Sequence, residues 1–303
     1  NYDKHLEDGS EDENWNKAIA NENFRKAMYF GLDLTDFLRR ENTLDPLSCQ
    51  NDTFTCDRLS YTSDGRDYTD LVKEKINLPK EPKVEGKPTR YDPEKGQEYK
   101  AKAMEELTAQ GVTFPVEVDY YISASNQVAL DSANVMAQAF SDGLGDDYVK
   151  FNIKTYVSSV RNEVVQPHLH SFVTNGWGAD YGDPQNYLIQ EAYGYDNAYY
   201  SAKYTNISSV EENENNKELL NDYKEFTRLL EEADNIVDDM DKRYAAFAKA
   251  EAYLIQHGLS LPQSYTSGWT LTKINPYSKM NAVFGCQNDK MKNLSLIHIS
   301  EPT

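Results

Sequence analysis

Between Phe114 and Val157 the hydrophobic period changes from two residues to about four and back to two. No other stretch of this 303-residue chain restricts its fold as tightly. In "FPVEVDYYI" the apolar side chains are Phe114, Val116, Val118, Tyr120 and Ile122, the alternation of a strand with one buried face. "NQVALDSANVMAQAFSDGLG" places Ala129, Ala133, Met136 and Phe140 along one helical stripe, and "VKFNIKTYV" alternates again through Val149, Phe151, Ile153 and Val157. Strand, helix and strand of these lengths make an α/β unit, and a helical crossover returns the second strand parallel to the first.

The flanks extend this unit with helices. "NENFRKAMYFGLDLTDFLRR" opens on an Asn cap and carries Phe24, Ala27, Met28 and Gly31 at helical spacing. "DPEKGQEYKAKAMEELTAQG" has Pro93 at its start and Gly111 as its stop. Leu219, Tyr223, Phe226 and Leu230 mark one later helix, and Met240, Tyr244, Phe247 and Leu254 mark another. The stretch 41–90 is rich in Asp, Asn, Pro and Lys, and its length implies a surface excursion with one helical piece at "DYTDLVKEKI". Residues 1–20 are polar and acidic and are expected to be a connector. "SSVRNEVVQ" reads as a short helix and "HSFVTNGW" as a short apolar strand. "NYLIQEAYGYDNAYYSAKYTN" reads as exposed irregular structure, and "LSLPQSYTSGWTLTKINP" as a strand and return connection.

Charge narrows the partners. A net charge of −19 and a pI near 4.7 argue against nucleic acid and against anionic membrane surfaces. No apolar run approaches the ~20 residues that span a bilayer. The chain begins "NYDKH", which reads as an internal piece of a longer protein, while the last ten residues, "LSLIHISEPT", resemble translated adapter sequence and are expected to be non-native. Of the three cysteines, Cys49 and Cys56 share a polar loop, where a small disulfide and two free thiols are both open; Cys286 is remote in sequence.

The chemistry concentrates in "NGWGADYGDPQNYL", Asn175 to Leu188. No phosphate loop, nucleophile elbow or zinc-protease motif is present. His168 and His170 lack a third ligand nearby in sequence, so no metal and no cofactor is expected there. Asp180 and Asp183 admit a carboxylate-dependent hydrolase as an alternative, but Gly182 and Pro184 mark a turn, and Asp183 before Pro184 has the position of a turn residue bonding its own backbone. A binding cleft accounts for more of the segment. Gly176 and Gly178 let another backbone approach and pair as an added strand, Trp177 offers an apolar wall, and Asp180 offers a fixed negative charge. A peptide with a free α-amino group is a ligand that uses all of these features.

"GWGADYGDP" resembles the W-x-A-D-Y-x-D-P segment of the bacterial extracellular solute-binding proteins that feed oligopeptide transporters, of the Gram-positive oligopeptide-binding lipoprotein type. "NENFRKAMYFGLD", "YDPEKGQEYKAKAMEEL", "DKRYAAFAKAEAYL" and "LPQSYTSG" are similar to other segments of that family in the same order, as are "DLVKEKI" and the "KYTN" region. The resemblance runs from about Asn21 to Gly285. It implies an α/β, periplasmic-binding-protein-like (class II) lobe with a mixed sheet flanked by helices. Residues 1–20 would be the connector from a first lobe, 21–262 the C-terminal peptide-binding lobe, 263–293 the return toward the first lobe, and 294–303 the non-native tail. It further implies an extracellular monomer, lipid-anchored at the cell surface through a segment preceding this chain or periplasmic, that hands oligopeptides to ABC-transporter permease subunits without catalysis. Carried over by position, Asp180 would pair with the peptide ammonium, Gly176 and Gly178 would supply backbone hydrogen bonds, and Trp177 would line a side-chain pocket. Thr174 stands where some members offer a basic residue to a ligand carboxylate, and no Lys or Arg lies between Asn162 and Ala202. A sugar or a metal chelate is the alternative solute on the same fold.

Overall fold

The computed structural model describes residues 1–265. Its centre is the expected strand–helix–strand unit. Strand β1 (Val116–Ser123) pairs in parallel with β2 (Val149–Tyr156), in a register that runs from Val116 opposite Val149 to Ser123 opposite Tyr156. These two strands are the sheet among the described residues; antiparallel pairing is confined to isolated bridges such as Gln50 with Ser264.

Helices enclose the sheet. Helix α1 (Glu13–Ala20) is capped by Asp12, whose carboxylate accepts from the Trp15 amide. The segment 1–20, expected as a connector, thus carries a helix of its own and buries Trp15, because the indole packs edge-on against Phe24 at 6.3 Å. Helix α2 (Glu22–Gly31) begins on the expected cap, with Asn21 Oδ1 accepting from the Phe24 amide. Arg25 of α2 is buried among backbone acceptors, donating to the carbonyls of Ile19, Ala20 and His257. After α3 (Thr35–Glu41) the chain makes its excursion, which includes α4 (Tyr68–Lys75). Helix α5 (Pro93–Ala109) has Pro93 at its first turn and closes at Gly111, whose φ of +82° favours glycine. Helix α6 (Gln127–Leu144) is the crossover between the strands.

Three glycines set how closely α2, α5 and α6 approach. A Cβ on Gly96 would lie 2.6 Å from the Gly31 Cα, and one on Gly143 would lie 2.2 Å from the Gly31 carbonyl oxygen. The backbones therefore touch where side chains would normally intervene.

The excursion does not float over the surface. Glu251, fully buried on α9 (Met240–Gln256), accepts from the Phe54 amide (2.6 Å), the Thr55 amide (3.0 Å) and hydroxyl (2.8 Å), and the Tyr68 hydroxyl (2.8 Å). Burial pushes its carboxyl upward, and the hydrogen bonds oppose that. Helix α8 (Lys217–Asp234) packs on α9 through the apolar positions that its spacing predicts, with Tyr223, Phe226, Leu230, Phe247 and Leu254 buried. Cys49 and Cys56 are free thiols, and the Tyr187 hydroxyl donates to Cys56 Sγ. The return segment beyond Tyr265, Cys286 and the last ten residues lie outside the described residues. Among those described, no helix is long and apolar enough to cross a membrane.

Candidate functional site

The chain reaches the Trp177 region through a loop after β2. Glu163 closes its first turn by accepting from the amides of Val157, Ser158 and Ser159, which hold its carboxyl down at about 2. Ser171 then meets β1: its amide donates to the Asp119 carbonyl, and its hydroxyl accepts from the Asp119 amide. The strand expected over "HSFVTNGW" goes no further. Phe172 instead packs into a ring cluster, 5.6 Å from Phe140 in a stacked arrangement and 5.2 Å from Tyr120, while the Tyr120 hydroxyl donates to Thr174 Oγ1. Side-chain packing replaces a backbone ladder here, and the two glycines that follow weaken any preference to resume one. Among the described residues, no backbone–backbone hydrogen bond reaches the stretch 172–179.

Four sequence-predicted residues lie on this loop, and a fifth residue organises it. Asn186, buried in the single-turn helix α7 (Gln185–Leu188), accepts through one oxygen from the Trp177 indole N–H at 2.9 Å and from the Asp180 amide at 2.9 Å. Trp177 is half-buried, with its ring 5.4 Å from Tyr199, whose hydroxyl is 3.1 Å from that of Tyr204. Asp180, Gly176 and Gly178 are exposed. Among the described residues, a Cβ at Gly176 or Gly178 would meet nothing within 4 Å, so packing there does not call for glycine at either place. The Tyr/Asn-rich stretch, expected to be exposed and irregular, instead buries Leu188, Gln190, Glu191, Ala198 and Ser201, and its tyrosines continue the aromatic wall from Trp177. Asn186 and Tyr199 escape a reading of the sequence because nothing local marks them; the density of tyrosine was the one available signal.

Asp183 is separated from this group in role. Its Oδ1 accepts from the Gln185 amide, the turn bond its position predicts, and Arg243 of α9 donates to both carboxylate oxygens at 3.0 and 3.3 Å. A carboxylate held by a guanidinium on both oxygens is poorly placed to share acid–base work with Asp180. His168 and His170 also part company. His170 is buried against the Tyr204 carbonyl, and burial pushes it down to about 3, which keeps it neutral; His168 faces Asp3 at 3.0 Å. An open depression lined by Asn134, Gln138, Ser141, Lys150 and Phe151 shares no residue with the Trp177 loop.

Residues 10–199, which include the Trp177 loop, match the family described as bacterial extracellular solute-binding proteins, family 5 Middle. The chain belongs to that family. Among curated relatives it is 28% identical over 295 residues to the oligopeptide-binding protein AliA of Streptococcus pneumoniae, an overlap of 89% of this chain and 42% of AliA. It is 25% identical over 302 residues to the oligopeptide-binding protein SarA of Streptococcus gordonii, covering 94% of this chain and 44% of SarA. The chain thus spans less than half the length of either relative. Among solved structures, the pheromone receptor PrgZ superposes with a TM-score of 0.56 at 18% identity, over 82% of this chain and 40% of PrgZ. The substrate-binding domain of an oligopeptide ABC transporter from Bacillus anthracis superposes with a TM-score of 0.55 at 16% identity, over 85% and 41%. The fold is that of the periplasmic-binding-protein-like peptide binders. Members of the family are solute-binding proteins rather than enzymes.

Proposed function

We propose that this chain is part of the substrate-binding component of an ABC importer, and that it captures oligopeptides through the Trp177 loop. The observation that carries the reading is the shared tether: one buried oxygen, Asn186 Oδ1, holds both the indole N–H of Trp177 and the backbone of Asp180. An apolar wall and an exposed carboxylate are thereby kept together on a loop that makes no ladder with another described strand. Glycines at 176 and 178 that packing among the described residues does not require are accounted for by the close approach of a ligand backbone. Asp180 takes the peptide ammonium, Gly176 and Gly178 bond its backbone, and Trp177 with Tyr199 lines a side-chain pocket. Residues 21–262 are the peptide-binding lobe, residues 1–20 enter it and pack into its core through Trp15, and 263–293 are the return toward a first lobe. The protein works outside the cytoplasmic membrane as a monomer and delivers its ligand to permease subunits. The oligopeptide-binding character of AliA and SarA supports peptide over sugar or metal chelate, and the engagement of Asp183 by Arg243 weighs against the hydrolase.

The test is a two-by-two comparison by calorimetry on the full-length protein: free against N-acetylated peptide, wild type against Asp180→Asn. A cleft closed by two lobes would desolvate the ammonium, so the substitution should cost the free peptide roughly two to four decades in affinity. The acetylated peptide should bind wild type weakly and be nearly indifferent to the substitution. Equal losses for both peptides would reduce Asp180 to a loop residue.

A further inference from the structure

A second cluster of ligand-type side chains lies away from the Trp177 loop. Asp3 and His5 flank Lys4 in the entering segment, where His5 forms an isolated antiparallel bridge with Glu11. Lys4 is buried and satisfied there, 2.8 Å from both Asp12 and Asp119, which leaves no ammonium beside Asp3 and His5 from the residue between them. The His5 amide donates to the His168 carbonyl at 3.1 Å, and this bond sets the register that brings the two imidazoles together with ring centroids 5.2 Å apart. Asp3 stands between them, one carboxylate oxygen 3.2 Å from His5 Nε2 and the other 3.0 Å from His168 Nδ1. His168 has a φ of +60°, in the left-handed region that histidine enters more readily than most side chains.

We propose that Asp3, His5 and His168 bind a divalent transition-metal cation of the zinc type. A tetrahedral ion with bonds of ~2.0–2.1 Å spaces its donors about 3.3 Å apart. Each imidazole already lies near that distance from one or the other of the two Asp3 oxygens, and with one oxygen taken from Asp3 the three donor atoms all lie within 4.8 Å of one another. Two imidazoles and one carboxylate suit zinc or nickel over calcium or magnesium, which take oxygen ligands. The three side chains are 21–30% exposed, so an ion can enter and a fourth position is open to water. Because Asp3 and His168 are 165 residues apart in sequence, the ion would cross-link the entering segment to the loop that follows β2. The other His/carboxylate group, Glu22, Asp222 and His257, offers a single imidazole, and its carboxylates already accept from Lys26 and Tyr253.

The experiment uses tag-free full-length protein, freed of metal with a chelator and titrated with Co²⁺ and, separately, Zn²⁺. One equivalent should bind, with the visible absorption of cobalt in a low-coordinate nitrogen–oxygen site and a raised thermal midpoint. His5→Gln and His168→Asn should each weaken binding at least tenfold; asparagine tolerates the positive φ, so His168→Asn tests the ligand without straining the backbone. His257→Gln should leave binding unchanged. Equal, weak binding by wild type and both variants, or loss of binding in His257→Gln alone, would overturn the assignment. Far-UV circular dichroism confirms that each variant is folded.

Discussion

Asn186→Ala removes one oxygen that two parts of the Trp177 loop share. The indole N–H of Trp177 and the amide of Asp180 each lose a 2.9 Å partner. Both bonds are partly buried, so water can replace some of each, and the net loss is about 1 kcal/mol or slightly less per bond. The backbone bonds of α7 survive, because the Asn186 amide still donates to the Asp183 carbonyl. The substitution therefore acts on the loop more than on the fold: about 1–2 kcal/mol of preference for the ligand-facing arrangement disappears. If the ligand binds that arrangement alone, the apparent Kd rises by the same factor, about 5- to 30-fold. Calorimetry with a free-amino-terminus peptide on the full-length protein reads the change in Kd, and thermal unfolding reads any change in the stability of the fold. Asn186→Asp keeps an acceptor of the same shape and should restore most of the affinity. Unchanged affinity together with a lowered midpoint would show that Asn186 only packs, and a failure of Asn186→Asp to rescue would show that the shared acceptor is not what matters.

Other expectations follow from the same geometry. Hydrogen bonds from His257 to Asp222 and Glu22 raise the imidazole to about 9, so its stabilising contribution is full below the unfolded value near 6.5 and fades as pH rises through 9. The shift corresponds to a ceiling of about 3 kcal/mol, which exposure of 28% reduces to about 1–2. Urea midpoints of wild type should accordingly fall between pH 6.5 and 9.5 relative to His257→Gln, and parallel curves would refute this. Glu251→Ala strands three buried donors and a partly buried one, and should cost on the order of 3–5 kcal/mol. Proteolysis should then cut near Phe54 first, and an unchanged urea midpoint would disprove the clamp. Gly143→Ala gains about 1 kcal/mol of helix propensity but drives a methyl into the Gly31 carbonyl at 2.2 Å, so the protein should be destabilised by about 1–3 kcal/mol net. Gly178→Ala, whose Cβ meets nothing, should leave the thermal midpoint alone while weakening peptide binding; a lowered midpoint would place the reason for this glycine inside the fold.

Periodicity and local punctuation determined the elements. The alternation from Val116 to Ile122 and from Val149 to Ile153, the Asn21 cap, the Gly111 stop and the stripes through Phe226 and Phe247 are each decided within a few residues of chain, where side-chain direction repeats with the backbone. Asp183 before Pro184 belongs with them, because its turn bond reaches only to Gln185. What tertiary structure decided lies across the chain. Ser171 takes its partner from β1, so the strand expected after it stops at one residue. Trp15 finds a buried place only once Phe24 is beside it, and the long excursion finds its anchor only in Glu251. Asn186 carries no local mark of its hold on Trp177 and Asp180, nor does Asp3 of its place between His5 and His168. Such contacts depend on which surfaces meet after helices pack, and no period in the sequence encodes the partner of a polar atom 165 residues away.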